Sequence, residues 1–179
     1  MKLRKWDRGI NYDYLFSKLL NMYNQFLTLF SNLPTDKMIA KRFLYTSIAL
    51  IQLRNGLRLS EAVEAIIHFS KTGERKFKIM PKKNNNERWV IILDFILQRD
   101  IQNALTFVQD IKKLTQNYRM WLKNVVGINS HSLRYAFIRK MLDKGLNSTQ
   151  IALILGHRKL ETTYEYEKTY NSLRLLEDL

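Results

Sequence analysis

Three short stretches near the C-terminal end decide the reading: HSLRYAF at 131–137, LGH at 155–157 and TTYEY at 162–166. They place His131, Arg134, His157 and Tyr166 on short elements that can converge. His131 and Arg134 are three positions apart, so on a helix they share a face and can present an imidazole and a guanidinium to one anion. Leu133, Phe137 and Met141 then point elsewhere, as core anchors. Two imidazoles, a guanidinium and a phenol with no carboxylate cluster suit a phosphate better than a metal or a carbonyl. A tyrosine phenol has a pKa near ~10, so about one part in a thousand is ionised at neutral pH. To attack phosphorus it needs a base or a strongly cationic pocket, and these neighbours offer both.

Upstream, NGLRLSE at 55–61 supplies a second arginine, Arg58. It lies in a turn just before a helix start, where backbone N–H groups and the helix dipole already favour an anion. A guanidinium there can hold two oxygens of one phosphate. Taken singly, each of these residues also reads as an ordinary surface or packing side chain. A lone HxxR pair is common on helix surfaces, and Tyr164 and Tyr170 flank Tyr166 as packing aromatics do.

Taken jointly, the motifs resemble the catalytic domain of the tyrosine recombinases, the phage-type integrases. That family runs in a fixed order: an arginine in a GLR-x-SE-like segment, a lysine on a β-hairpin, HxLR, LGH, and a nucleophile nine residues past the last histidine. The order maps onto Arg58, Lys83, His131, Arg134, His157 and Tyr166, and the resemblance covers about residues 36 to 170. The hairpin lysine is assigned through MPKKNNNERWV, which is similar to the family's GKGNKER-type turn; Lys82 is its neighbour on the opposite face of a regular strand. Two features depart from the family. Tyr135 follows the second arginine where histidine is common, a change expected to affect packing more than chemistry. Only about 35 residues precede the catalytic block, whereas family members usually carry a separate helical DNA-binding domain there. Either the sequence is a fragment, or it is a minimal recombinase, or a separate core-binding domain or accessory protein supplies the missing half of the DNA clamp.

The resemblance implies site-specific recombination of double-stranded DNA, of the integration or excision type. Tyr166 would attack a backbone phosphorus to give a covalent 3′-phosphotyrosyl link and free a 5′-hydroxyl. Arg58 and Arg134 would hold the non-bridging oxygens, and Lys83 would protonate the leaving 5′-oxygen. His131 would assist proton transfer at the tyrosine, and His157 would donate a hydrogen bond to the phosphate. Bond energy is kept in the phosphotyrosine, so no cofactor, ATP or metal is expected. A homo-oligomer on DNA is a further expectation; the leucine-bearing tail past Tyr166 either docks on a neighbouring protomer or packs on its own domain. The competing reading is a non-catalytic DNA-binding relative that regulates or assists a full-length recombinase.

Composition agrees with a polyanion as partner. The 179 residues carry 30 Lys plus Arg against 16 Asp plus Glu, a formal net charge of +14. The run from Lys71 to Arg88 concentrates Lys71, Arg75, Lys76, Lys78, Lys82, Lys83 and Arg88 and reads as the DNA-contacting surface. No cysteine is present, which excludes disulfides, thiolate catalysis and cysteine-based zinc sites. The basic N-terminal stretch has no apolar core of signal or membrane-span length, so a cytoplasmic, DNA-associated protein is expected.

Periodicity completes the picture. Apolar residues from Tyr12 to Phe30 recur at helical spacing, and Pro34 breaks that run. Asp36 then opens a second helix to about Leu53, and Asn55-Gly56 marks a turn. Ser60 reads as the N-cap of a short helix, EAVEAII. Strands are predicted near 66–70, 75–80 and 88–93. Helix resumes after Asp94 through about Val126, with breaks. Further helices span about His131 to Lys144, with Gly145 at C′, and the segment after a Ser148 cap. Thr162 to Leu179 reads as helical. The whole is α+β and mostly helical: an N-terminal helix and linker over 1–34, and a recombinase-like catalytic domain with its tail over 35–179, with a small three-stranded antiparallel sheet.

Overall fold

The computed structural model describes residues 10–80, 87–156 and Tyr164. Its elements, in chain order, begin with α1 (Tyr12–Asn32), α2 (Lys37–Asn55) and α3 (Leu59–Thr72). A hairpin of β1 (Lys76–Ile79) and β2 (Arg88–Ile91) follows. Then come α4 (Gln98–Leu105), α5 (Ile111–Trp121), a π-helical turn (Leu122–Val126), α6 (Ser130–Asp143) and α7 (Ser148–Leu155).

Helix α2 is the spine. Ala40, Phe43, Leu44, Ile48, Ala49, Leu50, Ile51 and Leu53 are all fully buried, so this helix is apolar almost all round. A helix of that kind must be enclosed by others. It is covered by α1 through Leu15, Leu19, Tyr23 and Phe30, and by α3, α4 and α6 on its other sides. Asp36 starts it, its carboxylate accepting from the backbone N–H groups of Met38 and Ile39. Lys140 on α6 reaches Asp13 at the start of α1 at 2.6 Å, joining the two ends of the chain order.

The sheet has two antiparallel strands, with Phe77 opposite Val90 and Ile79 opposite Arg88. The predicted strand at 66–70 is instead the second half of α3. Ala62, Val63, Ala65, Ile66 and Phe69 are buried at spacings of one, two and three, the pattern of a helix face and not of a strand. Its start also differs from the sequence reading: Arg58, not Ser60, occupies the N-cap position. Likewise Asn147, not Ser148, caps α7. Its side chain accepts from the Gln150 N–H, and the Gln150 side chain accepts from the Asn147 N–H in return. The strand predicted over 88–93 ends at Ile91. Among the described residues no helix is long and apolar enough to cross a membrane.

Candidate functional site

The site grows from the turn between α2 and α3. Helix α2 ends at Gly56, whose φ of 59° lies in the left-handed region. A Cβ at this position would stand 2.5 Å from Phe137 Cδ1 of α6 and 2.8 Å from Leu155 Cδ2 of α7. Glycine is therefore required twice, for its backbone conformation and for the approach of two helices. The preceding residue, Asn55, acts as a piece of strand edge. Its Nδ2 donates to the Ile91 carbonyl and its Oδ1 accepts from the Ile91 N–H, both at 2.9 Å. The hairpin is thereby fastened to the turn that presents Arg58.

Arg58 is fixed by Glu61. The Glu61 carboxylate accepts the Arg58 backbone N–H at 2.7 Å and Nη1 at 2.9 Å, while the rest of the guanidinium faces outward with 28% of the side chain exposed. The same carboxylate is paired with Arg88 Nη2 in the interior. Burial alone would raise the Glu61 pKa, but Arg88 and Arg58 together hold it below the ordinary carboxylate value.

Arg88 corrects an expectation. Placed by sequence on the DNA-contacting surface, it is only 3% exposed. It pairs with Glu61, and its Nη1 donates to the Leu155 carbonyl at 3.0 Å. Ile79 opposite and Val90 next but one point into the core from the same face of the hairpin, and Arg88 follows that pleat inward. Burial brings its pKa down to about 10, so it keeps its charge at neutral pH.

Helix α6 contributes the second arginine and the first histidine. Arg134, 6% exposed, donates from Nη1 to the Gly56 carbonyl at 2.6 Å, two residues before Arg58 in the chain. Burial, with Arg88 and Arg58 adding repulsion, lowers its pKa to about 9. His131 lies one turn earlier, at the exposed start of the helix. Burial of part of the ring, then the charges of Arg134, Arg119 and Arg58, hold its imidazole below the ordinary value, which keeps it neutral at pH 7. Tyr135 packs beside it, ring centroids 6.4 Å apart. A cleft of about 760 Å³ opens here, lined by Gln116, Arg119, Lys123, Ser130, His131 and Tyr135 among others.

Of the six predicted catalytic residues, Arg58, His131 and Arg134 are thus brought together. Lys83 and its neighbour Lys82, His157 and Tyr166 lie outside the described residues. Just before His157, Leu155 presses on Gly56 while its carbonyl is held by Arg88. Tyr164 is 59% exposed. Among the predicted DNA contacts, Lys71, Lys76 and Lys78 are exposed. Lys78 sits 5.3 Å over the Trp89 ring and 3.0 Å from Glu87. The Arg75 guanidinium is directed to its own chain, donating to the carbonyls of Leu93 and Ile96.

Sequence reasoning missed Glu61 as the acid that holds both Arg58 and Arg88. The signal was present, because Glu at the third position after an N-cap is the capping-box pattern. It also missed the cleft cations Arg119 and Lys123, which no motif marks.

Arg58 and Arg134 thus meet at the Gly56 turn, and a neutral His131 stands one helical turn before Arg134 beside the cleft. The phage integrase family model matches residues 22–172. The chain belongs to that family, the tyrosine-type site-specific recombinases, and its partner is DNA. Among its relatives is ORF241 of Acidianus two-tailed virus, a protein named as an integrase. It is 32% identical over 174 residues, covering 97% of this chain and 68% of the viral one. An uncharacterized protein of Methanocaldococcus jannaschii is 29% identical over 97% of this chain and 86% of its own length. A protein of Acholeplasma phage L2 named as an integrase/recombinase is 26% identical over 75% of this chain and 52% of its own. No solved structure matches.

Proposed function

We propose that this chain cleaves and rejoins duplex DNA through a covalent 3′-phosphotyrosyl intermediate formed by Tyr166. The observation that carries the reading is the Arg58–Arg134 pair, built on one turn: Arg58 follows it and Arg134 is bonded to its Gly56 carbonyl. Charge builds on the non-bridging oxygens as phosphorus becomes five-coordinate, and two fixed guanidinium groups stabilise that state more than the ground state. A neutral His131 can accept the phenol proton. Lys83, between β1 and β2 in the sequence, would give a proton to the departing 5′-oxygen, and His157 would hydrogen-bond the phosphate.

Flanking DNA would run over two cationic surfaces. One is the outer face of the hairpin, with Lys76, Lys78 and the exposed Trp89. The other is the cleft beside His131, with Arg119 and Lys123. The leucine-bearing tail past Tyr166 would dock on a neighbouring protomer, giving a homo-oligomer on DNA, and a core-binding domain or accessory protein would close the clamp.

The test is covalent trapping. The protein is incubated in EDTA with nicked suicide duplexes carrying candidate attachment sequences, and SDS-resistant adducts are resolved on a gel. An adduct lost in Arg58→Ala and in Arg134→Ala supports the reading. Salt-sensitive binding without any adduct, even with a core-binding partner supplied, would favour a regulatory DNA-binding relative instead.

A further inference from the structure

Every buried neighbour of position 52 along α2, from Ile48 to Leu53, is apolar, yet position 52 is a glutamine only 1% exposed. A buried amide left unmatched costs about 1–3 kcal/mol, so its partners matter. Its Oε1 accepts from the Tyr118 hydroxyl at 2.7 Å. Its Nε2 donates to the Leu57 carbonyl at 3.2 Å and to the Ser130 carbonyl at 3.0 Å. Carbonyls only accept, so the nitrogen end must face them, and both amide hydrogens are used.

The two carbonyls are not random. Leu57 immediately precedes Arg58, and Ser130 immediately precedes His131. One planar group therefore spans the backbone of both segments that carry the site, and Tyr118 of α5 fixes which way that group points. We propose that Gln52 is a positioning residue: its amide sets the spacing between Arg58 and His131, and Tyr118 locks the amide. The distance between the guanidinium that holds the phosphate and the imidazole that serves the nucleophile is then built into the core, not left to two exposed side chains. Misplacement by about 1 Å can cost about 10²-fold in rate, and this is the error such a bridge suppresses. Gln52 does not face the cleft and touches no substrate. The inference rests on the phosphate-transfer reading for its chemical consequence, while the geometry itself is independent of it.

Gln52→Leu alone strands the Tyr118 hydroxyl in the core and can fail to fold. The informative variant is Gln52→Leu with Tyr118→Phe, which removes the amide and the hydroxyl together, so that no side-chain donor is stranded and the Leu57 and Ser130 carbonyls are no longer tied to each other. Three readouts are taken on the full chain: the thermal midpoint, the His131 titration by NMR, and the rate of adduct formation on nicked duplex. A cooperatively melting double variant that binds duplex within about twofold of the parent but forms adduct about tenfold or more slowly is expected. Its His131 should titrate closer to the ordinary 6.5, because the partial burial of the ring and its spacing from Arg134, Arg119 and Arg58 are no longer fixed by the bridge. A folded double variant with the parental His131 titration and the parental adduct rate would overturn the inference. If the parent forms no adduct on any duplex, the strand-transfer reading falls. The His131 titration then decides the positioning claim alone, with a shift supporting it and no shift ending it.

Discussion

Arg134 donates to the carbonyl of Gly56 at 2.6 Å, so the second arginine of the site is bonded to the turn that presents the first. Neither guanidinium is placed by its own rotamer alone. Arg58 is held at its backbone N–H and at Nη1 by Glu61, Arg134 is held at Nη1 by Gly56, and α6 and α7 close over the same glycine. The placement of both arginines is a property of this one crossing of helices.

Gly56→Ala should accordingly be among the most damaging small substitutions. A left-handed non-glycine residue costs about 1–3 kcal/mol, and overpacking against Phe137 and Leu155 adds about 1–3 kcal/mol. Urea unfolding should show a loss above ~2 kcal/mol. An unchanged midpoint would mean that α6 and α7 do not press on this turn.

The buried Glu61–Arg88 pair gives a second prediction. Glu61→Gln leaves the Arg88 charge without its counter-ion, and breaking such a pair costs about 3–5 kcal/mol. Adding Arg88→Met should restore part of that loss, since no buried charge is then stranded. Glu61 titrates below its ordinary value in the folded state, so its contribution is present above that ordinary value and is lost as pH falls through the folded one. Acid unfolding of the double variant should therefore be less steep than the parent's. A Glu61→Gln protein as stable as the parent would remove the pair from the account.

His131 carries an opposite proton preference to a stabilising cation. Its folded pKa is depressed below 6.5 by burial and by Arg134, Arg119 and Arg58. As pH falls the unfolded chain takes up this proton first, so the stability tied to neutral His131 is full above 6.5 and is lost through the folded pKa. His131→Gln should lose less stability than the parent between about pH 7 and pH 5. Parallel pH profiles for the two proteins would contradict the placement of the ring among three guanidinium groups.

Binding to duplex DNA should weaken steeply with salt, and Lys76→Ala with Lys78→Ala should lower the slope of log affinity against log salt by about 1 per phosphate contact removed. Arg88→Met should leave that slope unchanged, because its side chain faces Glu61 and not solvent. A fall for Arg88→Met equal to that for the lysines would restore Arg88 to the DNA surface.

Much of this was legible in the residues. Asn55-Gly56 announced the turn, HSLR announced one helical face with an imidazole and a guanidinium, and the structure joins the two. What local pattern could not supply was the environment of polar side chains. Arg88 lies in a basic run and reads as exposed; only Glu61, 27 positions away, gives it a reason to be buried. Gln52 reads as an interruption in an apolar helix until Leu57, Tyr118 and Ser130 surround it. The segment 66–70 alternates briefly as a strand would, but the burial of Val63, Ile66 and Phe69 on one side shows that helix packing on α2 decides.

The most direct test of the central claim is to map the trapped DNA–protein bond. Trypsin cleavage after Lys159 and Lys168 leaves Tyr164 and Tyr166 on one peptide, and tandem mass spectrometry of the adduct separates them. A 3′-phosphate-linked nucleotide on Tyr166, lost in Tyr166→Phe and retained in Tyr164→Phe, is the predicted result. Attachment at Tyr164 or at any other residue, or strand cleavage with no residue attached, would contradict it.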